Sequence, residues 1–114
     1  MTPDEMHQIV LSFPGAEEAT SYGYPAFKLN GKFLTRLRSE DASLVLMEVG
    51  PDEREMLMEA DPATWHITPH YASSNCILAR IASLEPGSLK GLLERRFRKI
   101  AKKAVVKAWD AREG

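Results

Sequence analysis

The chain has 114 residues, 44% hydrophobic and 27% charged, which suits one folded domain over residues 1–114 and argues against intrinsic disorder. A single cysteine, Cys76, excludes an intramolecular disulfide framework, and no apolar run approaches the ~20 residues that span a bilayer. The net charge of -1 conceals an asymmetry: residues 1–61 carry twelve acids and five bases, residues 62–114 four acids and ten bases.

Such a split suits either an anionic partner for the basic half or mutual attraction of the two halves within one domain. The acidic start, Met1-Thr2-Pro3-Asp4-Glu5, lacks a secretory pattern, so a cytoplasmic address without membrane attachment is expected.

Thr2-Pro3-Asp4-Glu5 is a capping box, and Met6, Ile9, Val10 and Phe13 follow at helical spacing until Pro14-Gly15. From Glu17 to Leu29 the chain reads as extended, with breaks at Gly23 and Pro25. Asn30-Gly31 between Ala26–Leu29 and Lys32–Leu37 predicts a hairpin, because a type I′ turn needs positive φ at both central residues. Alternation in the second arm places Phe33, Thr35 and Leu37 on one face and Leu34, Arg36 and Arg38 on the other.

Ser39–Ala42 turns the chain into a third strand, Ser43–Val49. Gly50-Pro51-Asp52-Glu53 opens a second helix that turns Met56, Leu57 and Ala60 inward and stops at Asp61-Pro62. Trp65–Thr68 and Cys76–Ala82 read as strands around a loop, Pro69–Asn75. A long helix, Leu89 to Trp109, carries the apolar stripe Leu89, Leu93, Phe97, Ile100, Ala104 and Ala108. The whole predicts an α+β fold, two-layered, with a largely antiparallel sheet of five to six strands and three helices.

Trp65-His66-Ile67-Thr68-Pro69-His70-Tyr71 concentrates the most chemical capability. His66 and His70 stand four apart, but Pro69 disfavours the helix that would align them on a metal. Cys76 opens an apolar strand and reads as a small buried hydrophobe rather than a nucleophile. No catalytic set, metal site or cofactor is expected. Arg80, the lone charge in Ile77-Leu78-Ala79-Arg80-Ile81, must face solvent or meet a carboxylate such as Glu48. His70 and Tyr71 follow a proline in a loop, where side chains can project into a cleft.

On the last helix Arg95, Arg98, Lys99 and Lys102 form a basic stripe flanked by Arg96, Lys103 and Lys107. It is either a phosphate-tracking surface or simply a solvated face.

Phe13-Pro14-Gly15-Ala16-Glu17-Glu18, Tyr22-Gly23-Tyr24-Pro25-Ala26-Phe27-Lys28, Arg36-Leu37, Glu59-Ala60-Asp61-Pro62, Thr68-Pro69-His70-Tyr71 and Leu78-Ala79-Arg80-Ile81 occur in this order. In that order and spacing the chain resembles the MmcQ/YjbR family of small bacterial proteins over about residues 5 to 104. Ala72-Ser73-Ser74-Asn75-Cys76 departs from the family, which commonly has a glycine and a tryptophan there. The resemblance implies an antiparallel sheet with helices packed on it and a protein commonly labelled DNA-binding. It also marks Lys28, His70, Tyr71 and Arg80 as recurrent polar positions.

Three functions are therefore expected, in order. The first is a non-enzymatic module that binds DNA, with Lys28, Arg36, Arg38 and Arg80 or the stripe Arg95, Arg98, Lys99 and Lys102 contacting phosphates. The second is a cleft for a small anionic ligand, or for catalysis, around Lys28, His70, Tyr71 and Arg80. The third is a protein-interaction adaptor.

Overall fold

The computed structural model describes residues 1–113. Helix α1 spans Pro3–Leu11, and its capping box forms as expected: Thr2 Oγ1 accepts from the Glu5 N–H at 3.2 Å and the Glu5 carboxylate accepts from the Thr2 N–H at 3.1 Å. Strands β1 (Ala16–Ser21), β2 (Tyr24–Leu29), β3 (Lys32–Arg38) and β4 (Ser43–Met47) form an antiparallel meander. Helix α2 (Pro51–Ala60) then crosses to β5 (Trp65–His66), and β6 (Cys76–Arg80) returns between β5 and β4. The sheet order is thus β1-β2-β3-β4-β6-β5, antiparallel throughout.

One face of this sheet carries Phe27, Leu29, Leu34, Leu46 and Ile77 into a core with Val10 and Phe13, and α3 (Pro86–Ile100) adds Leu89, Leu93 and Phe97. The fold is α+β, as expected, with four helices rather than three. Among the described residues no helix is long and apolar enough to cross a membrane.

Three details correct the sequence reading. The long helix ends at Ile100, Ala101 is extended, and α4 (Lys103–Glu113) folds back. No glycine or proline marks that break. In a continuous helix Phe97 and Trp109 would stand about 18 Å apart, yet their ring centroids are 5.2 Å apart, and Trp109 also stacks on Phe13 at 5.1 Å. Burial of the indole outweighs the helix propensity of Ala101-Lys102-Lys103. Ala104 and Ala108 accordingly face outward, and Val105, Val106 and Trp109 face inward.

Helix α2 leaves Met56 65% exposed and Ala60 exposed; it buries Arg54 instead. The third difference is a β-bulge. Phe27 pairs with Thr35 while Lys28 pairs with Phe33, so Leu34 is an extra residue in β3. A bulge inverts the alternation beyond it. Leu34 therefore joins Thr35 and Leu37 on the helix side, and Phe33 shares the opposite face with Arg36 and Arg38.

Candidate functional site

The register fixes which side chains share the face away from the helices. Pairings Ala26↔Arg36, Lys28↔Phe33, Arg36↔Val45, Arg38↔Ser43, Val45↔Leu78, Met47↔Cys76, Ser43↔Arg80 and His66↔Leu78 place all of these on it. A groove of about 1050 Å³ runs over this face. Its floor is Phe33, Val45, Met47 and Cys76, and its walls carry Tyr22, Tyr24, Lys28, Arg36, Glu40, His70, Tyr71 and Arg96.

One wall is the loop between β5 and β6. Pro69 opens a single 3₁₀ turn, Pro69–Tyr71, closed by Tyr71 N–H donating to Thr68 O at 3.0 Å. The loop is held from below by Arg54, whose guanidinium donates to the carbonyls of Ala72 (3.0 Å), Ser74 (2.9 Å) and Cys76 (3.2 Å). A planar fork of donors matches three carbonyls on a curved strand end, and this satisfies both the buried cation and the backbone. Tyr71 packs on the floor, and His70 lies edge-on to its ring at 4.7 Å.

Arg36 is positioned from two sides. Its Nη2 donates to Tyr71 Oη at 2.8 Å, and its guanidinium lies 4.8 Å from the centre of the Tyr24 ring. Neither Arg36 nor Lys28 forms a salt bridge among the described residues. Glu17 is the cross-strand neighbour of Lys28 in the β1–β2 register, and Glu40 lines the same groove.

Of the sequence candidates, Lys28, Arg36, His70 and Tyr71 converge in the groove. Arg38 lies beside it, 5.7 Å from the centre of the Tyr71 ring, and is countered by Glu40 (3.5 Å) and Asp41 (3.6 Å). Arg80 does not join them. It lies on the open sheet face, one of the two alternatives read for it, and donates to the carbonyls of Pro62 (3.3 Å) and Ala63 (3.2 Å) rather than to Glu48.

Glu48 serves α3 instead: its carboxylate meets Lys99 at 3.1 Å and Arg96 at 3.6 Å, and its carbonyl accepts from Arg95. Arg95 also makes a two-pronged pair with Glu53 (2.6 and 2.7 Å), which holds the Glu53 carboxyl below its usual range. Arg98 is paired with Asp110 and Glu94, which raises its guanidinium pKa. Within the stripe Arg95, Arg98, Lys99 and Lys102, three members are therefore tied to carboxylates, and Lys102 is exposed.

The remaining polar cluster is structural. His66 Nε2 lies 2.8 Å from Ser43 Oγ and 3.7 Å from Asp41 Oδ2. A relay would need the acid on the other ring nitrogen, and Ser43 is fully buried. Burial lowers the His66 pKa, Arg80 and Arg38 lower it further, and Asp41 opposes them. Burial also raises the Cys76 thiol against the pull of Arg54, which keeps it protonated and weakly nucleophilic.

Arg54, Arg96, Tyr22 and Tyr24 were not candidates from the sequence. The Tyr-Gly-Tyr run was legible as a motif, but nothing in it indicated that its rings would border the same groove as Lys28. The YjbR family model matches residues 11–99 of the chain. The chain belongs to the YjbR family. The matched span takes in the whole sheet, α2 and nearly all of α3, and so every groove residue named above. No curated protein and no solved structure matches the chain.

Proposed function

We propose that this YjbR-family protein is a non-enzymatic binding module that takes single-stranded nucleic acid, DNA in the first instance, along the open face of its sheet. The observation that carries the reading is the meeting of two cations that form no salt bridge among the described residues, Lys28 and Arg36, with the rings of Tyr22, Tyr24 and His70 on one groove. Single strands are held by that combination: cations track phosphates and aromatic faces take unpaired bases. Duplex DNA would instead need a long cationic surface, and the stripe on α3 is countered by Glu48, Glu53, Glu94 and Asp110.

Fluorescence anisotropy with a labelled 12-nucleotide strand and its duplex, both at low salt, tests the reading. Tighter binding of the single strand is expected, falling as salt rises because phosphate contacts release counterions. Absence of binding at low salt, or duplex binding at least as tight, would overturn it.

A small anionic ligand is the second reading. The groove's volume of about 1050 Å³ is close to the ~300–1,000 Å³ of small-ligand sites, and the Arg54-held loop walls one side. Competition separates the two, because a mononucleotide that displaces the 12-mer at comparable concentration favours the small ligand.

A further inference from the structure

Two hairpins flank β2, and each turns in two residues with positive φ. After the strand these are Asn30 (54°) and Gly31 (75°); before it they are Tyr22 (51°) and Gly23 (81°). Asn-Gly is the pair such a turn favours. A tyrosine in the left-handed region crowds its Cβ against the following carbonyl, and it lacks the short polar side chain by which Asn relieves that crowding. The same sheet thus solves one turn with the favoured residue and the other with a disfavoured one.

Burial does not compensate, since Tyr22 is 98% exposed. Glu48 offers the contrast: it too has positive φ (65°), but its carboxylate binds Lys99 and Arg96. The Tyr22 ring has no comparable intramolecular partner among the described residues, and it borders the groove beside Tyr24, Lys28 and Arg36.

We propose that Tyr22 forms a base-stacking subsite at the rim of the groove, so that the ligand presents an unpaired nucleobase there while its phosphates meet Lys28 and Arg36. This rests on the single-strand reading and adds a ligand requirement to it: the bases, and not only the backbone charge, are bound. A two-residue turn holds the ring on a short, stiff arm, which limits the entropy lost when a base stacks on it.

The test compares the parent protein with Tyr22→Asn, using a 12-mer of thymidines and an abasic 12-mer with the same phosphates. Asn suits the turn, so the variant should unfold at the same temperature or higher. Its affinity for the thymidine strand should fall at least about fivefold, the lower end for loss of one base–aromatic stack. Its affinity for the abasic strand should equal the parent's. Unchanged thymidine binding by the variant, or equal loss on both strands, overturns the subsite and leaves the single-strand reading standing. Failure of the parent to bind either strand overturns both.

Discussion

The protein carries two cationic regions of similar composition and opposite availability. On α3, Arg95, Arg98 and Lys99 each face a carboxylate, and the acids come from α2, the β4–α2 connection, α3 itself and α4. On the open sheet face neither Lys28 nor Arg36 forms a salt bridge among the described residues, although Glu17 stands across the β1–β2 register from Lys28, and Arg36 is steadied by a phenol and a ring. The difference teaches that a count of basic residues locates charge but not free charge. The acidic first half and basic second half meet largely at α3, where they neutralise each other. The groove keeps two cations, Lys28 and Arg36, that form no salt bridge among the described residues, beside Arg96, which Glu48 counters.

The strongest way to break the contrast is to loosen the groove's wall. Arg54→Ala strips donors from the carbonyls of Ala72, Ser74 and Cys76 and should lower stability by about 2–4 kcal/mol in urea denaturation, since buried acceptors lose charged partners. Oligonucleotide affinity should fall with it as the loop that carries Tyr71 loses its anchor; unchanged stability would show that the loop stands without Arg54. Arg36→Ala should weaken single-strand binding about tenfold, with little change in the unfolding midpoint, as loss of one well-placed phosphate contact implies.

Glu48→Gln sharpens the contrast from the other side. It frees Lys99 and Arg96, so binding at low salt should rise about two- to threefold and the gain should vanish at high salt. An unchanged affinity would mean that release alone does not make α3 cations available.

A smaller effect comes from pH. His66 has a folded-state pKa below its ordinary 6.5, so the unfolded chain binds the proton first and stability declines as pH falls below that value. The melting temperature should drop between pH 7 and pH 5.5, and His66→Asn should flatten the drop; identical profiles would place the titration elsewhere. Lys99→Gln should change binding less than twofold, as an exposed paired lysine would.

Much of the architecture was legible because local signals were strong. The Thr2–Glu5 capping box, the Asn30-Gly31 turn and the apolar runs of β4 and β6 all formed as read. What was not legible depended on partners far away in sequence. The extra residue Leu34 moved Phe33 to the face of Arg36, and alternation alone cannot reveal a bulge. The break at Ala101 follows from Trp109 meeting Phe13 and Phe97, since no residue there breaks a helix by itself.

In the site, Lys28, Arg36, His70 and Tyr71 were found as polar residues in revealing contexts. Arg54 was hidden because an arginine on a surface helix normally faces water. Arg80 stands on the open sheet face, one of the two alternatives read for it, but its partners are backbone carbonyls from the loop before β5, which carry no side-chain signal in the sequence.

The salt dependence of single-strand binding weighs the two regions against each other most directly. For a strand held by about three phosphate contacts the slope of log affinity on log salt should be near −2, at ~0.7 per contact. The double variant Lys28→Ala/Arg36→Ala should reduce its magnitude by about 1.4, while Lys99→Gln/Lys102→Gln leaves it unchanged. The reverse outcome, a slope that follows Lys99 and Lys102 and ignores Lys28 and Arg36, would contradict the assignment of binding to the open sheet face.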